Sequence, residues 1–323
     1  MYKVIMVPTD GSGFDREAIR VALRIAERCD AKIQLVRVLG TGSFFGMATA
    51  ADGLAVAAEL VVSERDRALS ELYALAAECR ATSKAIITID LHTGPVAEVL
   101  EGYARRHDVD LIVISTHGRS GISRFTLGSV TDSLIRHTTI PILVVKPPTS
   151  YLNPQINEAF KRIVVPLDGS TLAEQILPRV MALASIEEAE ITLLNVLIPQ
   201  SHAQKEIVDP SLPWWDKDIA AARSYLFGIA SKLRRNGMAV TTDVVIGENI
   251  ASAIGDFAGR ERADLIAIAT HGRGGFARML RGSVATAVMH SASMSMLVLK
   301  PDSVAEMQES PAEDGVRADL IPA

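Results

Sequence analysis

The chain has 323 residues, enough for two domains of ordinary size that each bury a core. With 48% hydrophobic and 22% charged residues it has the composition of a folded globular protein, which excludes disordered and fibrous classes. A formal net charge of −5 argues against nucleic acid as the main partner, since phosphate backbones are met by basic faces, but leaves room for a local basic pocket holding one small anion.

The opening MYKVIMVPTD lacks the pattern of a secretory signal, and no apolar run approaches the roughly 18 residues that span a bilayer. A cytoplasmic protein without membrane contact is expected. Apolar, β-branched runs predict strands at Lys3–Pro8, Lys32–Leu39, Ala85–Leu91, Asp110–Ser115 and Ile140–Lys146. Helical patterns lie between them at Asp15–Cys29, about Ala55–Arg80, Val96–His107 and Ser129–Thr138. The strands are apolar on both faces, as in a parallel sheet covered by helices on both sides. Strand–helix alternation with right-handed crossovers then gives an α/β, doubly wound, Rossmann-like unit.

The same order returns in the second half, with strands near Arg162, Ile191, Val240, Asp264 and Met296. KVIMVPTDGS recurs as RIVVPLDGS, DLIVISTHGRSGISRFTLGSV as DLIAIATHGRGGFARMLRGSV, and ILVVKPP as MLVLKPD. Asp10 recurs as Asp168, 158 residues on; His117 recurs as His271 and Lys146 as Lys300, each 154 residues on. A duplicated domain with one variable loop produces this drift. Residues 1–148 and 161–302 are the two predicted domains, with 149–160 as linker and 303–323 as a polar, disordered tail. Gly40–Gly53 and Pro199–Pro213 are predicted as the variable loops, with Trp214 and Trp215 packing beneath the following helix. Cys29 and Cys79 lie in helical stretches and read as small packed hydrophobes.

In a doubly wound sheet, ligands lie beyond the carboxyl ends of the strands where strand order reverses. Two repeated segments fall there. Pro8-Thr9-Asp10-Gly11-Ser12, copied as Pro166-Leu167-Asp168-Gly169-Ser170, places a carboxylate that can accept from a ribose or an adenine edge. Capping of the following helix by Asp10 and Asp168 is the equally weighted alternative. The second segment carries Ser115, His117, Gly118, Arg119 and Gly121, then Gly128, Ser129 and Val130 opening a helix. Its copy carries Ala269, His271, Gly272, Arg273 and Gly275, then Gly282, Ser283 and Val284. Glycines let backbone N–H groups approach an anion, and a helix N-terminus favours phosphate. Ser129-Val130-Thr131-Asp132 also has the form of a capping box, which would make Ser129 only an N-cap. The loops are not Walker A sequences, and His117 and His271 lack the partners of a general base. Glu187-Glu188 and Glu158 read as solvated surface, and the remaining histidines lack metal-ligand spacing.

These segments together resemble the universal stress protein family, over about residues 1–147 and 160–301, in a tandem arrangement. Its ATP-binding branch carries Gly-x2-Gly-x9-Gly-Ser/Thr. Gly118, Gly128 and Ser129 match it, as do Gly272, Gly282 and Ser283, whereas Ser115 and Ala269 stand where its first glycine would be. The resemblance implies a five-stranded parallel sheet in 3-2-1-4-5 order in each domain. It also implies adenosine pockets lined by Pro8, Thr9, Asp10 and Val38, and by Pro166, Leu167, Asp168 and Val196. ATP, with or without Mg²⁺ held at Asp10 or Asp168, is the expected ligand, and slow hydrolysis the most chemistry expected. The expected role is a stress-response regulator acting through nucleotide occupancy; a nucleotide-free interaction scaffold is the alternative. Family members associate through the last strand, so the two halves are expected to form a pseudo-dimer, with a homodimer as a further option.

Overall fold

The structure, a computed structural model, describes residues 1–40, 51–115, 128–146, 159–198, 215–270 and 283–301. The first half runs β1 (Val4–Thr9), α1 (Arg16–Cys29), β2 (Lys32–Leu39), α2 (Ala51–Thr82), β3 (Ile87–Thr93), α3 (Val96–Arg106), β4 (Leu111–Ser115), α4 (Ser129–His137) and β5 (Ile142–Val145). The second runs β6 (Arg162–Pro166), α5 (Thr171–Glu174), α6 (Leu177–Glu187), β7 (Glu190–Leu197), α7 (Trp215–Arg235), β8 (Val240–Ile246), α8 (Ile250–Arg260), β9 (Leu265–Ala269), α9 (Ser283–Ser291) and β10 (Ser295–Leu299). The predicted linker prolines, the second variable loop, Trp214, the Trp215 side chain and the tail lie outside the described residues. The first variable loop is shorter than predicted, because α2 already begins at Ala51.

The strands form one sheet in the order β3-β2-β1-β4-β5-β10-β9-β6-β7-β8. Each half therefore has the order 3-2-1-4-5 with parallel pairing inside it, and one antiparallel pairing, β5 with β10, joins the two. Each half is the expected five-stranded sheet, and the two run on as ten continuous strands because the last strand of each half is an open edge that the other satisfies.

Alternate residues of each inner strand enter opposite cores. Ile5 and Val7 of β1 belong to the core on the face of α1 and α6, while Met6 belongs to the opposite core, on the face of α3, α4 and α8. Leu111 and Val113 of β4 go one way, Ile112 and Ile114 the other. Fully burying one such aliphatic side chain contributes about 1.5–3 kcal/mol, so both faces of the central strands must be apolar. The edge strands β3 and β8 are half exposed and accordingly more polar, as ITIDLHT and VTTDVVI.

The duplication extends to backbone detail. Asp30 and Glu188 close α1 and α6 in left-handed conformation, at φ 54° and 53°. Asp110 Oδ2 accepts from the N–H groups of Lys3 and Val4, and Asp264 Oδ2 from those of Lys161 and Arg162, pinning the start of β1 and β6. One difference is the first helix of the second half, which is broken into α5 and α6. Pro178 lies at the start of α6, where its missing N–H is harmless, whereas it could not continue a helix from α5. No described helix is long and apolar enough to cross a membrane.

Candidate functional site

Strand order brings β1 and β4 together, with Ile5 opposite Leu111 and Met6 opposite Ile112. The carboxyl ends of these strands, carrying Thr9 and Ser115, therefore open onto one mouth, beside the start of α4. At the end of β1 the chain makes a tight turn in which Asp10 Oδ1 accepts from the Ser12 N–H at 2.8 Å. Gly11 sits at φ +74°, in the left-handed region that glycine adopts without strain. The copy at the end of β6 repeats this: Asp168 Oδ1 accepts from Ser170 N–H at 2.9 Å, with Gly169 at φ +82°.

Helix capping by Asp10 and Asp168 is thereby corrected. The residue preceding α1 is Asp15, without a side-chain capping bond, and α5 is capped by Ser170, whose hydroxyl accepts from Ala173 N–H at 3.1 Å. Each aspartate instead commits one oxygen to its own turn. The N-cap reading of Ser129 is also corrected: Gly128 occupies that position with no side-chain capping bond, and Ser129 is the first helical residue. Gly128 thus contributes no side-chain bond to the first amides of α4, whose dipole end is positive. Ser115 and Ala269 do not have positive φ, so the missing glycine carries no backbone strain at either position.

The two turns rest on different foundations. In the first half, Arg37 of β2 is 4% exposed and stands under Gly11, where an added Cβ would lie 2.9 Å from its Nη1. Arg37 Nη1 donates to Glu71 Oε2 of α2 at 2.7 Å, and Arg67 Nε donates to Glu71 Oε1 at 2.8 Å. These bonds, that to Arg37 foremost, hold the Glu71 carboxyl below the usual range. The buried Thr9 hydroxyl donates to the buried Asp15 carboxylate. In the second half the corresponding residues are Leu167, Ala173 and Asn195, and Asn195 Nδ2 donates to the Leu167 carbonyl at 2.7 Å. The first turn rests on an ion pair, whereas in the second the neutral Asn195 stands in the place of Arg37.

The universal stress protein family model matches residues 1–146 and 159–300, most of the chain and both halves of the sheet. The chain belongs to the universal stress protein family. A universal stress protein of Methanocaldococcus jannaschii is 35% identical over 148 residues, which cover 46% of this chain and 84% of that one. One of Mycolicibacterium smegmatis is 24% identical over 301 residues, covering 92% of this chain and 97% of its own. The chain thus has relatives of one-unit and of two-unit length. A universal stress protein structure from Archaeoglobus fulgidus superposes with a TM-score of 0.61 at 18% identity, over 92% of this chain and 96% of that one, a likeness of fold.

Within this universal stress protein, Pro8, Thr9, Asp10, Val38, Ser115, Gly128, Ser129 and Val130 gather around the first mouth, at the ends of β1, β2 and β4 and the start of α4. Pro166, Leu167, Asp168, Val196, Ala269 and Val284 take the equivalent places in the second, where α9 begins at Ser283. Val38, Val130, Val196 and Val284 are half-buried against the core shared by α3, α4, α8 and α9. His117, Gly118, Arg119 and Gly121, and His271, Gly272, Arg273, Gly275 and Gly282, lie outside the described residues. Among the described residues no group of three or more His, Cys, Asp or Glu side chains could hold a metal ion. Arg37, Asp15, Glu71 and Asn195 support the two turns and are passed over by motif reading. Their signal is a polar residue interrupting an apolar strand at the same place twice, Arg37 in LVRVL and Asn195 in LLNVL.

Proposed function

We propose that this protein binds ATP, one molecule at each mouth, and that nucleotide occupancy is how it acts as a stress-response regulator. The observation that carries the reading is the Asp–Gly–Ser turn, repeated after β1 and β6, together with the opening of α4 at Gly128-Ser129 without a side-chain capping bond from Gly128. An adenosine would lie against the turn and the half-buried valines, and phosphates would meet the amides of α4 and α9 and the glycine-rich loops. Bound ATP supplies a polyanion that can carry its own Mg²⁺, held chiefly by phosphate oxygens, with Asp10 and Asp168 as the nearest repeated carboxylates. Membership of the universal stress protein family over both halves supports two sites.

Nucleotide extracted from the purified, heat-denatured protein should amount to about two ATP per chain. Saturating Mg-ATP at about 100 times Kd should stabilise the protein by about 2.7 kcal/mol for each site filled. Gly118→Val and Gly272→Val should each remove one equivalent. No nucleotide together with no thermal shift overturns the reading. It would favour the second one, a nucleotide-free interaction scaffold, which the replacement of the first loop glycine by Ser115 and by Ala269 supports.

A further inference from the structure

Where the halves meet, α1 of the first packs against α6 of the second. Glu187, at the end of α6, is fully buried between two arginines of α1. Arg24 Nε donates to its Oε1 at 3.1 Å, and Arg28 Nη1 donates to its Oε2 at 2.5 Å and to the Ile186 carbonyl at 3.4 Å. The Arg24 guanidinium also lies 5.1 Å from the centre of the Phe160 ring. Read as sequence, Glu187 belongs to a solvated acidic run; that reading is wrong, because α6 turns this residue inward and leaves only Glu188 in water, at 87% side-chain exposure.

The duplication makes the triad one-sided. Glu187 corresponds to Cys29, Arg24 to Ala182 and Arg28 to Ile186, so these positions form no reciprocal triad. The strand pairing beside it is nearly symmetric: Leu143 pairs with Leu297, its own counterpart in the duplication, flanked by Ile142 with Val298 and Val144 with Met296. Strand register would therefore serve any combination of halves. Only the helix faces discriminate. Two α1 faces together would bury two Arg24 guanidiniums, beside two half-exposed Arg28 side chains, against two Cys29 thiols, and two α6 faces would bury two Glu187 carboxylates against Ala182 and Ile186. Buried charges without partners are strongly unfavourable.

We propose that the Arg24–Glu187–Arg28 triad makes this seam a directional interaction surface: the basic α1 face of the first half accepts the acidic α6 face of the second, and rejects a second copy of either half. The β5–β10 edge is then filled by one first half and one second half, and two copies of the same half do not pair through it. The inference does not depend on nucleotide binding.

The test uses the full chain with a protease site placed within residues 147–158 and cut after folding. Two isotopically distinct batches are mixed, unfolded in urea, refolded together and weighed by native mass spectrometry. Pairs of a first with a second half, exchanged between batches, are expected alone; first–first and second–second pairs in statistical proportion overturn the proposal. Cys29→Glu, which gives the α1 face its own carboxylate, should make first–first pairs appear, and their absence counts against the triad as the cause. The uncut chain provides a measurement that does not depend on refolding. Glu187→Gln should lower its unfolding midpoint by roughly 10 °C. In a chain already carrying Arg24→Met and Arg28→Met, the same change should raise the midpoint or leave it unchanged, because it then removes a stranded charge. Equal losses in both backgrounds overturn the proposal.

Discussion

Gly11 shows how one residue couples the sequence motif to its support. The turn needs φ +74° there, and the space where a Cβ would stand is closed by Arg37 Nη1 at 2.9 Å and Glu71 Oε2 at 3.1 Å. Gly13, two residues on, needs φ +81° but has nothing within 4 Å of its missing Cβ. A left-handed conformation costs a residue with a Cβ about 1–2 kcal/mol, so Gly13→Ala should cost about that much. Gly11→Ala should cost more, because Arg37 is buried and tied to Glu71 and cannot swing away freely. Denaturant unfolding of the two variants measures the difference, and equal costs would show that the guanidinium yields. The glycines themselves were legible from the repeated Asp–Gly–Ser. Their burden was not, because the partner residue lies on another strand, 26 positions along the chain.

At the scale of elements, strands and helices follow the sequence closely where apolar period is strong and depart where tertiary contacts decide. The inner strands agree within a residue or two, because burial on both faces leaves them no polar choice. The third strand, predicted at Ala85–Leu91, is found at Ile87–Thr93, since an edge strand is half exposed and its polar end pairs through backbone alone. The long α2 illustrates an element held by a charge. Glu71 ties it to Arg37 of β2, and the bond keeps the carboxyl ionised below its usual range. A carboxylate whose folded pKa is depressed contributes stability fully above its unfolded value, about 4.3, and loses it as pH falls through the lower folded value. The native protein should therefore lose stability below about pH 4 in part through this pair. Arg37→Met removes the main cause of the shift, so the gap in unfolding midpoint between native and variant protein should narrow as pH is lowered from 7 to 3. Parallel curves would mean that the ion pair does not hold α2.

At the scale of the whole molecule, the duplication could be read from the repeated motifs, and the strand order within each half was implied by the family resemblance those motifs carry. That the halves form a single sheet was foreseeable only as association through the last strand, and the buried Glu187 contradicts what its acidic neighbourhood suggests. Long-range pairing leaves little local trace. The consequence is energetic as well as architectural. Each of the two hydrophobic cores contains residues of both halves: Ile5, Leu35 and Leu143 share one with Ile163, Leu193 and Leu297, and Met6 and Ile112 share the other with Ile266 and Val298. Lys146 Nζ reaches across to the carbonyls of Met289 and Ala292, at the end of α9. Unfolding one half alone would expose the apolar seam of the other and strand the charges of Glu187 and Lys146. The two halves should therefore melt together. Calorimetry of the full chain should give one endotherm whose calorimetric and van't Hoff enthalpies agree, the signature of a two-state transition. Glu187→Gln should move that endotherm downward and, if the seam is what enforces cooperativity, begin to divide it in two. Two resolved transitions in the unaltered protein would show that each half is stable without the other, and that the shared sheet is a contact between independent domains.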